Sequence, residues 1–136
     1  MIKPIMKSEF FLRLPSEDAG PDDAATGQDL LDTLHEHEHE CVGLAANMIG
    51  VRKRIICVKD GNRVLLMYNP QILEQVNAYQ TSEGCLSLTG ERPCTRYRRI
   101  KVEYLDENFV HRIKNFSGYT AEIIQHEIDH CCGIVI

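Results

Sequence analysis

No stretch of this chain stays apolar for the roughly 20 residues that a bilayer-crossing helix needs, and Met1-Ile2-Lys3-Pro4 does not open a long apolar leader. Neither a membrane partner nor secretion is expected, and the chain reads as cytoplasmic. Positive charge is also in short supply. Lys and Arg number 15 against 20 Asp and Glu, a formal net charge of -5, which gives no general attraction to nucleic acid. Arg92, Arg96, Arg98, Arg99 and Lys101 form the only basic cluster, and no nucleic-acid partner is expected. Linkers and internal repeats are lacking too, and 136 residues at 43% hydrophobic suit one globular domain, 1–136, with a single core. Cysteine is plentiful by contrast, at positions 41, 57, 85, 94, 131 and 132. Without a leader, free thiols in a reducing compartment are expected rather than a disulfide scaffold.

The most informative stretch is His126-Glu127-Ile128-Asp129-His130. On a helix, histidines at this spacing lie on one face, so both rings reach one metal ion, and the Glu127 between them is placed to handle a proton. A second match to the same pattern lies upstream, in His35-Glu36-His37-Glu38-His39. That tract holds no apolar residue, as expected of a solvated helix end or loop. The downstream match follows Ile123-Ile124 and includes Ile128, so its helix has apolar residues to bury while it aims polar ones at a site.

A catalytic metal usually takes three protein ligands and keeps one position open, so two histidines need a partner. Cys85 is the candidate, in Glu83-Gly84-Cys85-Leu86-Ser87, where glycine lets backbone pass close to a bound group and the cation would hold a thiolate. Cys131 and Cys132 follow His130 too closely to share its face and read as small packing residues before Gly133.

Three segments in this order carry a resemblance: Gly43-Leu44-Ala45-Ala46-Asn47-Met48-Ile49-Gly50, Glu83-Gly84-Cys85-Leu86-Ser87 and Gln125-His126-Glu127-Ile128-Asp129-His130. They resemble the three motifs of peptide deformylases, and the likeness runs from about Leu30 to Gly133. The resemblance implies that Cys85, His126 and His130 hold one divalent metal ion and that Glu127 is the catalytic acid and base. It implies a substrate, the N-formylmethionyl end of a nascent polypeptide, and a transient meeting with the ribosome. It further implies an oxyanion donor in the backbone N–H of Leu86, peptide-pairing backbone around Val42, Gly43, Glu83 and Gly84, and a contact from Arg92 to the downstream end of the peptide. Gly43 and Gly84 also read as turn residues and Arg92 as a solvated charge, and both readings stand at this point. Asp129 either orients a ligand histidine or pairs with Arg96, the pair being preferred. One thiolate and two imidazoles suit zinc, nickel, cobalt or ferrous iron, and the family's use of Fe(II) makes that ion the expected one. Many deformylases continue into a further C-terminal segment, and no ribosome contact of that kind is expected from a chain that stops at Ile136.

One departure stands at the substrate end of the first motif. The family places glutamine where this chain has Met48, and a thioether cannot donate a hydrogen bond to a developing oxyanion. Losing one such donor typically costs a factor of about 100 to 1,000 in rate. Asn47 is adjacent and points elsewhere in ordinary geometry, so it is not expected to substitute. Two further readings therefore stay open: a hydrolase for other N-acyl peptides or amides, and a non-catalytic relative that binds formylated peptide ends.

Local pattern predicts a helix over 22–38 with Leu30, Leu31 and Leu34 as its apolar stripe, then the first motif as a loop. Residues 54–58 and 64–68 read as strands joined at Asp60-Gly61-Asn62, with Pro70 closing the second. A further hairpin is predicted from Ile100, Val102 and Tyr104, turning at Asp106-Glu107-Asn108 and returning over 109–116. Thr120 is predicted to cap the motif helix. The fold class is α+β, with antiparallel sheets packed around a C-terminal helix that carries metal ligands, as the resemblance also implies.

Overall fold

The β-rich runs flanking Asp60-Gly61-Asn62 do form a hairpin, β2 (Ile55–Asp60) and β3 (Arg63–Cys85), turning at Gly61-Asn62 with Gly61 at φ 63°. The computed structural model describes residues 1–136 and adds β1 (Gly43–Ala45), β4 (Leu88–Leu105) and β5 (His111–Ser117). All five strands join one antiparallel sheet in the order β1-β2-β3-β4-β5, in keeping with the α+β class and antiparallel pairing expected from the sequence.

Pro70 does not end β3. The strand runs through it because the β3–β4 register is irregular between Tyr68 and Gln71 and again between Ile72 and Glu74, and Asn69 takes φ 53°. A proline cannot donate to a ladder, and a bulge is where none is needed. The continuation of β3 pairs with β4 as far as Cys85 and Leu88, a long hairpin whose polar stretch gave no strand signal in the sequence. The first motif is likewise more ordered than a loop: β1 followed by a 3-10 turn over Ala46–Ile49.

Three helices complete the fold: α1 (Glu9–Leu12), α2 (Ala24–Glu36) and α3 (Gly118–Cys131). The Cys57 thiol points at the Leu30 carbonyl on α2, whereas Gly43, the register partner of Val58, abuts Ile123 of α3. Successive strand residues face opposite ways, so α2 and α3 cover opposite faces of β2, and Ile55, Ile56, Cys57 and Val58 are all fully buried. Ile124 of α3 and Leu30 of α2 are also fully buried, and truncating either to alanine is worth about 2–5 kcal/mol. Ser117, in extended conformation, is the N-cap residue of α3, and Thr120 instead donates to Asp60 Oδ1 at 3.0 Å. No helix is long and apolar enough to cross a membrane.

Candidate active site

Helix α3 presents His126 and His130 on one face, and β3 delivers Cys85 at its last residue. The thiol and the two rings place one ligand atom each within 4.8 Å of one another, and Cys85 Sγ lies 3.3 Å from His130 Nε2. Tetrahedral bonds of about 2.0–2.3 Å put neighbouring ligand atoms about 3.4–3.8 Å apart, so the cluster has the size of a metal site. Its chemistry fits as well, since one thiol and two imidazoles are donors that suit a divalent ion. Burial, followed by the charges of His126 and Arg96, pushes His130 down to about 3.

A buried ion-pair chain orients the ligands. Glu83 Oε1 accepts from His126 Nδ1 at 2.8 Å, which leaves Nε2 for a metal. Arg96 grips Glu83 through Nε at 3.0 and 3.1 Å and through a terminal nitrogen at 2.7 Å, and donates to Asp129 Oδ2 at 2.8 Å. The expected Asp129–Arg96 pair is therefore present. Burial opposes ionisation of Glu83, but the hydrogen bonds from His126 and Arg96 outweigh it and hold the carboxyl far below the usual carboxylate range. Burial likewise opposes protonation of His126, and its bonds to Cys85 and Glu83 win, lifting it to about 10.

Glu127 is buried, its Oε1 has no hydrogen-bond partner, and burial lifts its carboxyl to about 7, with the His126 charge pulling the other way. Gly43 makes its placement possible. A Cβ there would lie 2.7 Å from Ile123 Cγ2 and 3.0 Å from Glu127 Oε2. Met48 is 1% exposed and its sulfur accepts from the Ala45 N–H at 3.4 Å, so it offers no donor to the site. Asn47 does not substitute: its amide donates to the His130 carbonyl at 2.9 Å.

A cavity of about 600 Å³ opens onto these groups. Val42, Gly43, Met48, Glu83, Gly84 and Leu86 line it together with Cys85, His126 and Glu127, while His130 sits behind the thiol. Arg92 lies outside the lining and pairs with Glu9 of α1 at 3.3 Å. Sequence reasoning missed the Glu83 side chain as the partner of His126, although Glu83 and Cys85 are two apart on a strand and so share a face. It also missed Tyr119, Glu122 and Ile123, which precede the ligands on α3 at helical spacing and line the cavity. The upstream His35 tract is exposed and distant in kind: α2 ends at Glu36, and His35 and His37 pair with Glu38 and Glu40.

The chain is similar to several peptide deformylases. The chain is 52% identical to the peptide deformylase of Clostridium beijerinckii over 136 residues, covering 100% of both chains, and 38% identical to peptide deformylase 1 of Clostridium perfringens over 79% of this chain and 74% of the relative. Its fold superposes on the Thermotoga maritima peptide deformylase with a TM-score of 0.89 at 28% identity, covering 99% of this chain and 95% of that one. The Met-Ala-Ser-bound enzyme of Acinetobacter baumannii matches with a TM-score of 0.87 at 27% identity, covering 99% and 96%. With a thiol, two histidines and a buried glutamate set at one cavity, and with the polypeptide deformylase profile matching residues 6–136, the chain belongs to the polypeptide deformylase family.

Proposed function

We propose the following division of labour for the deformylation that family membership gives this chain, the removal of the formyl group from an initiator methionine. Cys85, His126 and His130 hold one divalent ion, with Fe(II) the physiological choice and zinc, nickel or cobalt able to occupy the same donors. When bound, the ion supplies Lewis acidity, polarising the formyl carbonyl and acidifying water beside it. Glu127 takes the proton of the attacking water and returns it to the departing amine as formate leaves. A buried Oε1 without a partner, on a residue that lines the same cavity as Cys85 and His126, is the observation that carries this assignment.

The backbone N–H of Leu86 donates to the developing oxyanion, because Met48 cannot. β1 is an edge strand of the sheet, so the backbone at Val42 and Gly43 is placed to pair with an extended peptide while Glu83 and Gly84 bound its other side. A peptide seated there agrees with the Met-Ala-Ser complex of the Acinetobacter baumannii relative. Arg92, tied to Glu9 beside the cavity, meets the downstream end of the peptide. Residues 1–136 act as one domain, working in the cytoplasm on chains that emerge from the ribosome. The test is formate release from a formyl-methionyl peptide by protein purified without oxygen and loaded with Fe(II) or nickel. Turnover by the parent that disappears in Glu127→Ala is the expected result, and equal turnover by the two proteins would remove Glu127 from the mechanism.

A further inference from the structure

The oxyanion donor proposed above sits in a two-residue turn, Leu86-Ser87, between the last residue of β3 and the first of β4. The β3–β4 register is irregular between Gly84 and Cys85 before the ladder closes at Cys85 and Leu88, and Ser87 Oγ inside the turn is buried without a partner. On the N-terminal side the Leu86 peptide is anchored through Cys85, a metal ligand. On the other side no backbone N–H reaches the Leu86 carbonyl. That carbonyl accepts instead from Nζ of the exposed Lys7 at 2.7 Å.

Lys7 does not act from a loose tail. The residue before it, Met6, donates its backbone N–H to the carbonyl of Met48 at 2.7 Å, on the other wall of the same cavity. The residue after it, Ser8, caps α1 by accepting from the Phe11 N–H at 3.2 Å, and Glu9 accepts from Arg92 at 3.3 Å, on the strand that returns from the turn. Residues 6–9 thus form a strap that joins the first motif to the β3–β4 tip.

We infer that Lys7 is a positioning residue, holding the Leu86 carbonyl so that the neighbouring Leu86 N–H stays aimed at the oxyanion. The inference rests on the deformylase mechanism proposed above. Met48 makes it matter, because a side chain without a donor leaves Leu86 as the one backbone or side-chain donor assigned to that charge. An interaction realised only in the transition state shows in kcat and not in KM.

The experiment compares the parent with Lys7→Met, which keeps the aliphatic stem, and Lys7→Arg, which keeps the donor. It reads kcat and KM for a formyl-methionyl peptide, affinity for the deformylated Met-Ala-Ser peptide, and amide hydrogen exchange at Leu86, Ser87 and Leu88. In Lys7→Met, kcat is expected to fall by about tenfold while KM and product affinity stay within about twofold. Exchange at the turn should quicken, and Lys7→Arg should restore both readings. Unchanged kcat in Lys7→Met, or equal losses in Lys7→Met and Lys7→Arg, overturns the inference. An inactive parent whose turn still loosens in Lys7→Met would leave the strap standing and sink the deformylase mechanism, so the two failures are distinguishable.

Discussion

His35 and His126 each open a stretch of the form His-Glu-x-x-His, the first at the C-terminal end of α2 and the second inside α3. Helix α2 ends at Glu36, so the rings of His35 and His39 are not carried on one helical face, and the His35 side chain is 81% exposed. Helix α3 continues to Cys131, its residue His130 is 1% exposed, and β3 brings Cys85 against it. A five-residue pattern therefore makes a metal site only where helical backbone spans all five positions and a second element supplies what the helix lacks. The buried case also needs support that the exposed one does not. His126 depends on Glu83, Glu83 on Arg96, and Arg96 on Asp129, whereas His37 and Glu40 meet in water.

The two stretches should separate most sharply under substitution of the glutamate. Glu127→Gln is expected to lower formate release by about a thousandfold, the range of a general acid and base, and Glu36→Gln to leave it within about twofold. If Glu36→Gln were the damaging change, the assignment of the site to α3 would be wrong. Metal content gives the same contrast without turnover: after loading and desalting, His130→Ala should retain little metal and His39→Ala should match the parent. Chelation of the parent should also lower its melting temperature, because the ion ties β3 to α3.

Stability should separate the regions next. Arg96→Met strips two carboxylates of their buried partner and is expected to cost about 3–5 kcal/mol in denaturant unfolding. Breaking the exposed pair with His37→Ala should cost no more than about 0.5 kcal/mol, the worth of an exposed i,i+3 or i,i+4 ion pair. Similar losses from the two would mean that the Arg96 network is hydrated and does little to hold the ligands. Within the downstream site, Gly43→Ala should displace Glu127 and lower kcat by about a hundredfold while metal content is kept. Met48→Gln is expected to give the only gain, about tenfold in kcat, by returning a side-chain amide donor to the oxyanion. Titrating both variants against one formyl peptide under matched metal loading reads these last two effects.

Much of this was legible because it is local. Residues four apart on a helix face one way, an Asp-Gly-Asn turn between β-rich runs makes a hairpin, and an all-polar tract is solvated wherever the chain takes it. The passage of β3 through Pro70 was not legible, since a proline within a run normally argues for an end, and only the bulge opposite β4 accommodates it. The long polar continuation of β3 was missed for a related reason: its residues carry no apolar alternation, and pairing with β4 is what makes them a strand. Asp129 offered two partners in the sequence, and the choice of Arg96 depended on where β4 lies against α3.

By itself the sequence determined the candidate ligands and candidate base, the deformylase likeness and the methionine that departs from it, all of which reside in residue identity and motif order. The tertiary structure decided which His-Glu-x-x-His stretch gains a third ligand, that Glu83 orients His126, that Gly43 clears space for Glu127, and that Lys7 reaches the Leu86 carbonyl. Each of those is a contact between residues far apart along the chain, set by which strands pair and which helix covers them. Local periodicity carries no information about such contacts.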